Sequence, residues 1–162
     1  FFFKQKTAYE IPNRDWSSDV CSSDLLEALP SLSSIGSERI LLVEDNEAVR
    51  ELAAKALRRR GYTVQEAGNA EEAIQWVRST DAKPQLLVTD VIMPGLTGPN
   101  LAERLMPMLP ELRVLYMSGY TDDAMPVNGS YWGGVPLLQK PFTPGQLAEQ
   151  VRLALDSPVT RA

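Results

Sequence analysis

The sequence predicts an α/β domain over residues 38–157, with a parallel sheet of five strands covered by helices on both faces. Three observations carry this expectation. Short, continuous apolar runs recur along the chain, as they do in strands buried on both faces. Segments with helical apolar spacing lie between them. Glycine, proline and asparagine punctuate the junctions.

Ile40-Leu41-Leu42-Val43 is the first apolar run. Asn46 to Arg60 follows as a helix, because Val49, Leu52, Ala53, Ala56 and Leu57 fall at i, i+3, i+4, i+7 and i+8 and predict one inward face. Gly61 supplies its stop. Tyr62–Ala67 reads as the second strand, and Asn69 as the N-cap of a helix through Ser79 with Ala70, Ala73, Ile74 and Val77 inward. Gln85–Thr89 is the third strand, with Asp90 at its carboxyl end. The loop Met93-Pro94-Gly95-Leu96-Thr97-Gly98 leads into a helix ending near Met108. Arg113–Met117 is the fourth strand and Leu137–Gln139 a short fifth. Thr143 or Pro144 opens a last helix whose Leu147, Val151, Ala154 and Leu155 share a face. Between the last two strands, Asp122–Pro136 should hold another helix. Pro126, Asn128, Gly129, Gly133, Gly134 and Pro136 leave it at most a turn or two, so that helix is expected to be short or irregular.

A chain of 162 residues fits one domain plus tails. Its 44% hydrophobic and 23% charged content is ordinary for a globular domain, and about 120 residues can form a core without disulfides or metal staples. No apolar run approaches the roughly 20 residues of a membrane-spanning helix, and Phe1–Phe3 before Lys4 and Lys6 has the wrong order for a signal peptide, so a cytoplasmic location is expected. The net charge of -5 argues against direct nucleic-acid binding, and the basic run Arg58–Arg60 is placed to complement a helix carboxyl end. Cys21, the single cysteine, excludes an internal disulfide and a multi-cysteine zinc site. The count of zero histidines excludes a phosphohistidine, a histidine-ligated metal and a Ser/His or Cys/His pair. Carboxylates, hydroxyls and lysine remain to carry chemistry.

Residues 1–37 show neither helical nor alternating periodicity and are expected to be a disordered or non-native leader and linker. Within them, residues 1–25 resemble a translated sequencing-adapter read; the rival reading is a genuine disordered linker. Residues 158–162 read as a tail, and no output domain is expected in the six residues after Asp156.

In a parallel sheet, ligands bind beyond the carboxyl ends of the strands. Glu44-Asp45, Asp90, Ser118 and Lys140 stand at four such ends. Three converging carboxylates repel one another, and a hard divalent cation ligated by oxygen alone relieves the conflict, which suits Mg²⁺. Lys140 adds a fixed cation and Ser118 a hydroxyl. A nucleophilic carboxylate, a metal, a cation and a donor are the parts needed to transfer a phosphoryl group to an aspartate. Singly, each residue could be a helix cap, a loop residue or a solvated lysine. Their shared position at one end of different strands argues against that.

The segments Ile40-Leu41-Leu42-Val43-Glu44-Asp45-Asn46, Val88-Thr89-Asp90-Val91-Ile92-Met93-Pro94-Gly95, Met117-Ser118-Gly119-Tyr120 and Gln139-Lys140-Pro141-Phe142 resemble the receiver domains of two-component response regulators. The likeness covers nearly all of residues 38–157, and the wording around Ser118–Asp123 and Leu138–Thr143 is most similar to receivers at the carboxyl ends of hybrid sensor kinases. It implies a flavodoxin-like (βα)5 fold with parallel strands in the order 2-1-3-4-5. It implies that Asp90 is the phosphoacceptor and that Asp45, Asp90 and the Ile92 carbonyl bind Mg²⁺ directly, with Glu44 acting through water. Ser118 would hydrogen-bond a phosphoryl oxygen, Lys140 would pair with the phosphoryl charge, Gly119 would leave the phosphate unobstructed, and the Lys140–Pro141 peptide would be cis. The implied partner is a sensor histidine kinase or a histidine phosphotransfer protein.

One position departs from the family pattern. An aromatic residue usually stands three places before the lysine, where this chain has Leu137. Two other functions fit less well. A haloacid-dehalogenase-type phosphatase needs a second acid two positions after its nucleophile, where Ile92 stands, and a flavodoxin needs a Ser/Thr/Gly phosphate loop where Glu44-Asp45-Asn46 stands. A non-phosphorylated pseudo-receiver acting as a binding module is the alternative that keeps the fold, and the intact Asp45, Asp90, Ser118 and Lys140 set argues against it.

Overall fold

The computed structural model describes residues 36–119, 131–132 and 134–157. Ten elements follow in order: β1 (Arg39–Val43), α1 (Glu47–Arg58), β2 (Thr63–Ala67), α2 (Ala70–Ser79), β3 (Leu86–Asp90), α3 (Gly98–Leu105), β4 (Arg113–Ser118), β5 (Tyr131–Trp132), β6 (Val135–Gln139) and α4 (Pro144–Asp156). The sheet runs β2-β1-β3-β4-β6-β5. Every contact among its first five members is parallel, which is the expected order 2-1-3-4-5.

Side chains alternate across a strand, so each apolar run feeds two cores. Leu41, Val43, Leu87, Val114 and Tyr116 meet α2 and α3 on one face. Ile40, Leu42, Leu86, Val88, Leu115, Met117 and Leu138 meet α1 and α4 on the other. This double burial is why the runs read as continuous rather than alternating.

The helices start where side chains satisfy their free amides. Asn46 Oδ1 accepts from Ala48 and Val49, and Asn69 Oδ1 from Glu72. Thr143 and Gln146 exchange bonds in a capping box, with Pro144 in the first turn of α4. At the other end of α1, Arg60 N and Gly61 N bond back three residues to Leu57 and Arg58, so the helix tightens into a turn two residues before the expected Arg60. The same tightening, Met108 N to Leu105 O, closes α3 at Leu105 rather than Met108.

The inward face of α1 and the start of the last strand also need correction. Leu52 was placed on the inward face of the first helix but is 51% exposed, while Ala54 is fully buried beside Ala53 and Leu57. The buried stripe is centred on the alanines, whose small side chains fill the space under the sheet. The strand after the irregular stretch begins at Val135, not Leu137, and a two-residue strand, β5, pairs antiparallel with it. Trp132 pairs with Val135, and Gly134, just before it, takes φ +88, a backbone conformation that favours glycine. Gly-Gly is a tight-hairpin signal as much as a helix breaker. Of the stretch Asp122–Pro136, expected to hold a short helix, residues 122–130 and 133 lie outside the described residues, and the described remainder holds β5, Gly134 and the start of β6.

Candidate functional site

The parallel order brings the carboxyl ends of β1, β3, β4 and β6 to one edge of the sheet. β3 lies between β1 and β4, and Asp90 stands opposite Met117 in the ladder. Glu44, Asp45, Asp90, Ser118 and Lys140 line one depression there, together with Asn46, Val49, Ile92 and Gly119. The sequence-predicted residues are therefore brought together, and none is stranded elsewhere.

Burial grades across the cluster. Glu44 is buried, Asp90 half-buried and Asp45 exposed. One carboxylate oxygen from each lies within 4.8 Å of the other two. Lys140 Nζ donates to Glu44 Oε2 at 2.6 Å and to Asp90 Oδ2 at 2.7 Å. The other Asp90 oxygen, Oδ1, accepts from the Ile92 amide at 3.3 Å. Lys140 is itself placed by its amide, which donates to the Ser118 carbonyl at 2.6 Å, and the Lys140–Pro141 peptide is cis.

Burial pushes the Glu44 carboxyl above its ordinary value, and the Lys140 hydrogen bond and charge draw it only part of the way back. Burial works downward on Lys140, but the hydrogen bonds and charges of Asp90 and Glu44 outweigh it and hold the ammonium above its ordinary value. Lys140 is therefore a firmly protonated counter-ion shared by two acids. The third acid leaves the cluster short of positive charge. Oxygen-only donors of this kind, with no histidine or cysteine, fit a hard divalent cation.

Three supporting residues escaped the sequence reading. A Cβ on Gly98, at the start of α3, would collide with the Asp90 carbonyl oxygen, so glycine is what lets that helix close on the end of β3. Arg50 Nη1 donates to the Glu44 carbonyl at 2.7 Å and the Asp45 carbonyl at 3.4 Å. Val49, assigned to the core face of its helix, instead lines the site. The signal for Arg50 was its place one helical turn after the Asn46 cap. By contrast, a Cβ on Gly119 would stand 4.0 Å from the Lys140 side chain, an ordinary contact, so packing against Lys140 does not require glycine there. Ile92 is 58% exposed at the rim, and Leu137 packs half-buried against the α2–α3 core. Tyr120 lies outside the described residues.

Comparison with known proteins bears directly on this site. Residues 40–152 match the response regulator receiver domain family. The sensor kinase CckA of Brucella abortus is 38% identical over 121 residues, which are 75% of this chain and 13% of that protein. The crystal structure of the receiver domain from the hybrid histidine kinase CckA is 41% identical, with a TM-score of 0.61, covering 73% of this chain and 99% of that one. The response regulator TrrA of Thermotoga maritima, solved in complex with Mg²⁺ and BeF, is 27% identical with a TM-score of 0.60, covering 72% of this chain and 98% of that one.

Proposed function

The chain belongs to the response regulator receiver domain family, and on that premise we propose that Asp90 takes a phosphoryl group from a phosphohistidine of a partner protein. Receivers of this family work with histidine kinases or histidine phosphotransfer proteins. One observation carries the assignment to Asp90: its carboxylate, 2.7 Å from the Lys140 ammonium, is the half-buried member of a three-acid cluster at the strand ends. A pseudo-receiver would have no use for that arrangement.

In the proposed reaction an Asp90 oxygen attacks phosphorus, the phosphorus–nitrogen bond breaks, and the electron pair leaves with the imidazole. An acyl phosphate forms on Asp90. Lys140, already in contact with the attacking carboxylate, follows the developing charge onto the phosphoryl oxygens and stays protonated throughout. Ser118, at the end of β4 on the same depression, offers its hydroxyl to a phosphoryl oxygen. Asp45, Asp90 and the Ile92 carbonyl, with Glu44 through water, are the residues that would hold Mg²⁺; once bound, it supplies positive charge against the carboxylates and the transferred group. The Mg²⁺ in the TrrA complex supports this choice of ion.

We take residues 38–157 as the functional unit. The likeness to CckA supports a partner in a hybrid-kinase relay. The same reading places the chain in the cytoplasm, where ATP supplies the phosphoryl group. The test is incubation with a small acyl-phosphate donor and Mg²⁺, followed by intact-mass measurement. A gain of one phosphoryl group is expected in the wild type and none in Asp90→Asn or in EDTA. Label that survives either change would falsify the assignment.

A further inference from the structure

The Glu44–Asp45–Asn46 turn carries the acid cluster, and its backbone has left the β1 ladder, which ends at Val43. The Glu44 amide still reaches Ala67 O at 3.2 Å, but the next three carbonyls point to a single residue. Arg50 Nη1 donates to the carbonyls of Glu44 and Asp45, and the Arg50 amide donates to the carbonyl of Asn46 at 2.9 Å. The last of these is the ordinary first bond of α1, made by any residue at that position, so two consecutive carbonyls, those of Glu44 and Asp45, end on the arginine side chain.

The surroundings fit that arrangement. The Arg50 side chain is only 19% exposed, and its Nε lies 4.0 Å from Glu66 Oε2. Glu66 is held in turn by Arg58 Nη1 at 2.8 Å. A Cβ at Gly68 would meet Arg50 Nη1 at 3.6 Å, an ordinary contact, so the guanidinium packs beside the end of β2 without requiring glycine there. A surface arginine that served only as an ion-pair partner would need neither the burial nor the carbonyls.

We propose that Arg50 is the positioning residue of the acid cluster, gripping the backbone behind Glu44 and Asp45 so that both carboxylates are held towards Asp90 against their mutual repulsion. A carbonyl and its side chain share one Cα, so pinning the former restricts where the latter can point. This rests on the functional reading above, and it predicts an effect on cation binding before any phosphoryl transfer. Groups that orient metal ligands from behind change metal affinity by roughly 10- to 100-fold when removed.

The experiment is calorimetric titration of the unphosphorylated chain with Mg²⁺, with thermal unfolding recorded in EDTA. Arg50→Gln is expected to weaken Mg²⁺ binding by at least roughly tenfold. Arg50→Lys, which keeps the charge but carries its ammonium one bond nearer the backbone than Nη1, is expected to recover part of that loss. Arg58→Gln removes a cation from the same Glu66 without touching the carbonyls, and is expected to bind Mg²⁺ as the wild type does. Unchanged affinity in Arg50→Gln, or an equal loss in Arg58→Gln, overturns the proposal. Should Arg50→Gln fail to fold, Arg50→Lys carries the test, and wild-type affinity in it overturns the proposal equally. A wild-type chain that binds no Mg²⁺ brings down the functional reading along with this one, whereas a binding wild type with unaltered variants sinks this one alone.

Discussion

At the amino ends of the strands, Arg152 reaches Glu38 at 2.8 Å and Asp156 at 2.6 Å, and Arg113 donates to the Ser157 carbonyl at 3.0 Å. The Arg39 amide there donates to Gln85 Oε1. At the carboxyl ends of the same strands, Glu44 and Asp90 share Lys140, and Asp45 stands beside them with no cation of its own among the described residues. The first end places arginine side chains, with several donors each, against two acids and one carbonyl. The second places one ammonium against three acids. The difference teaches how unevenly the chain distributes its own charges: one end is satisfied by the chain itself, the other is left with more acid than cation.

The sharpest way to break this contrast is Lys140→Ala. Removing the shared cation leaves Glu44, 1% exposed, beside Asp90 with no compensating charge. Loss of one partner from a buried pair costs about 3–5 kcal/mol, to be read from urea unfolding without divalent cations. The sign with pH follows from Glu44, whose folded-state value is raised by burial. Its charged form is unfavourable above that value and the penalty vanishes below the unfolded one. The deficit of Lys140→Ala should therefore be full at neutral pH and shrink as the solution is acidified. A deficit that grows on acidification would contradict the assigned role of Glu44.

A smaller effect of opposite sign is expected from Asp45→Asn. Its carboxylate oxygen lies within 4.8 Å of two like charges, a repulsion worth about 1 kcal/mol at the water-like dielectric of an exposed residue. In EDTA the variant should unfold at a higher urea concentration than the wild type, while its Mg²⁺ affinity falls. Equal stability would mean that the cluster is already relaxed.

The smallest effect belongs to the amino end. Burial works upward on Glu38, but the hydrogen bond and charge of Arg152 outweigh it and hold the carboxyl below its ordinary value. That contribution is present above the unfolded value, 4.5, and is lost as pH falls through the depressed one. Arg152→Gln should lower the thermal midpoint slightly at neutral pH, flatten the acid limb of the stability curve and leave phosphoryl transfer untouched. A change in phosphorylation rate would show that the two ends are not separate.

The four reactive strand ends were legible because each apolar run stops at a charged or hydroxyl-bearing residue, and parallel topology does the rest. Strand order came from family likeness, since periodicity cannot say which strands are neighbours. What remained hidden depends on contacts across turns. Gly98 reads as loop punctuation until the Asp90 carbonyl is seen against it. Arg50 reads as one more charge on an exposed helix, because nothing in a sequence shows a carbonyl that has lost its ladder partner. Leu52 is misplaced for a related reason: spacing defines a stripe, but the residue at its centre is chosen by the sheet beneath. At Gly134 the sequence carried two meanings, helix breaker or turn, and the pairing of Trp132 with Val135 goes with the turn.

The Glu38–Arg152–Asp156 clamp has a consequence for architecture. One guanidinium touches both the residue that leads into β1 and the last residue of α4. A domain whose incoming and outgoing segments meet at one point behaves as a cassette: it can be spliced into a longer polypeptide at a single spot without prying its host apart. The seam lies across the sheet from the acid cluster, so a host joined there leaves the reactive edge open to a docking partner. By the same logic, the chain could be recut elsewhere and rejoined through a short linker from residue 156 to residue 38 without disturbing the reactive edge.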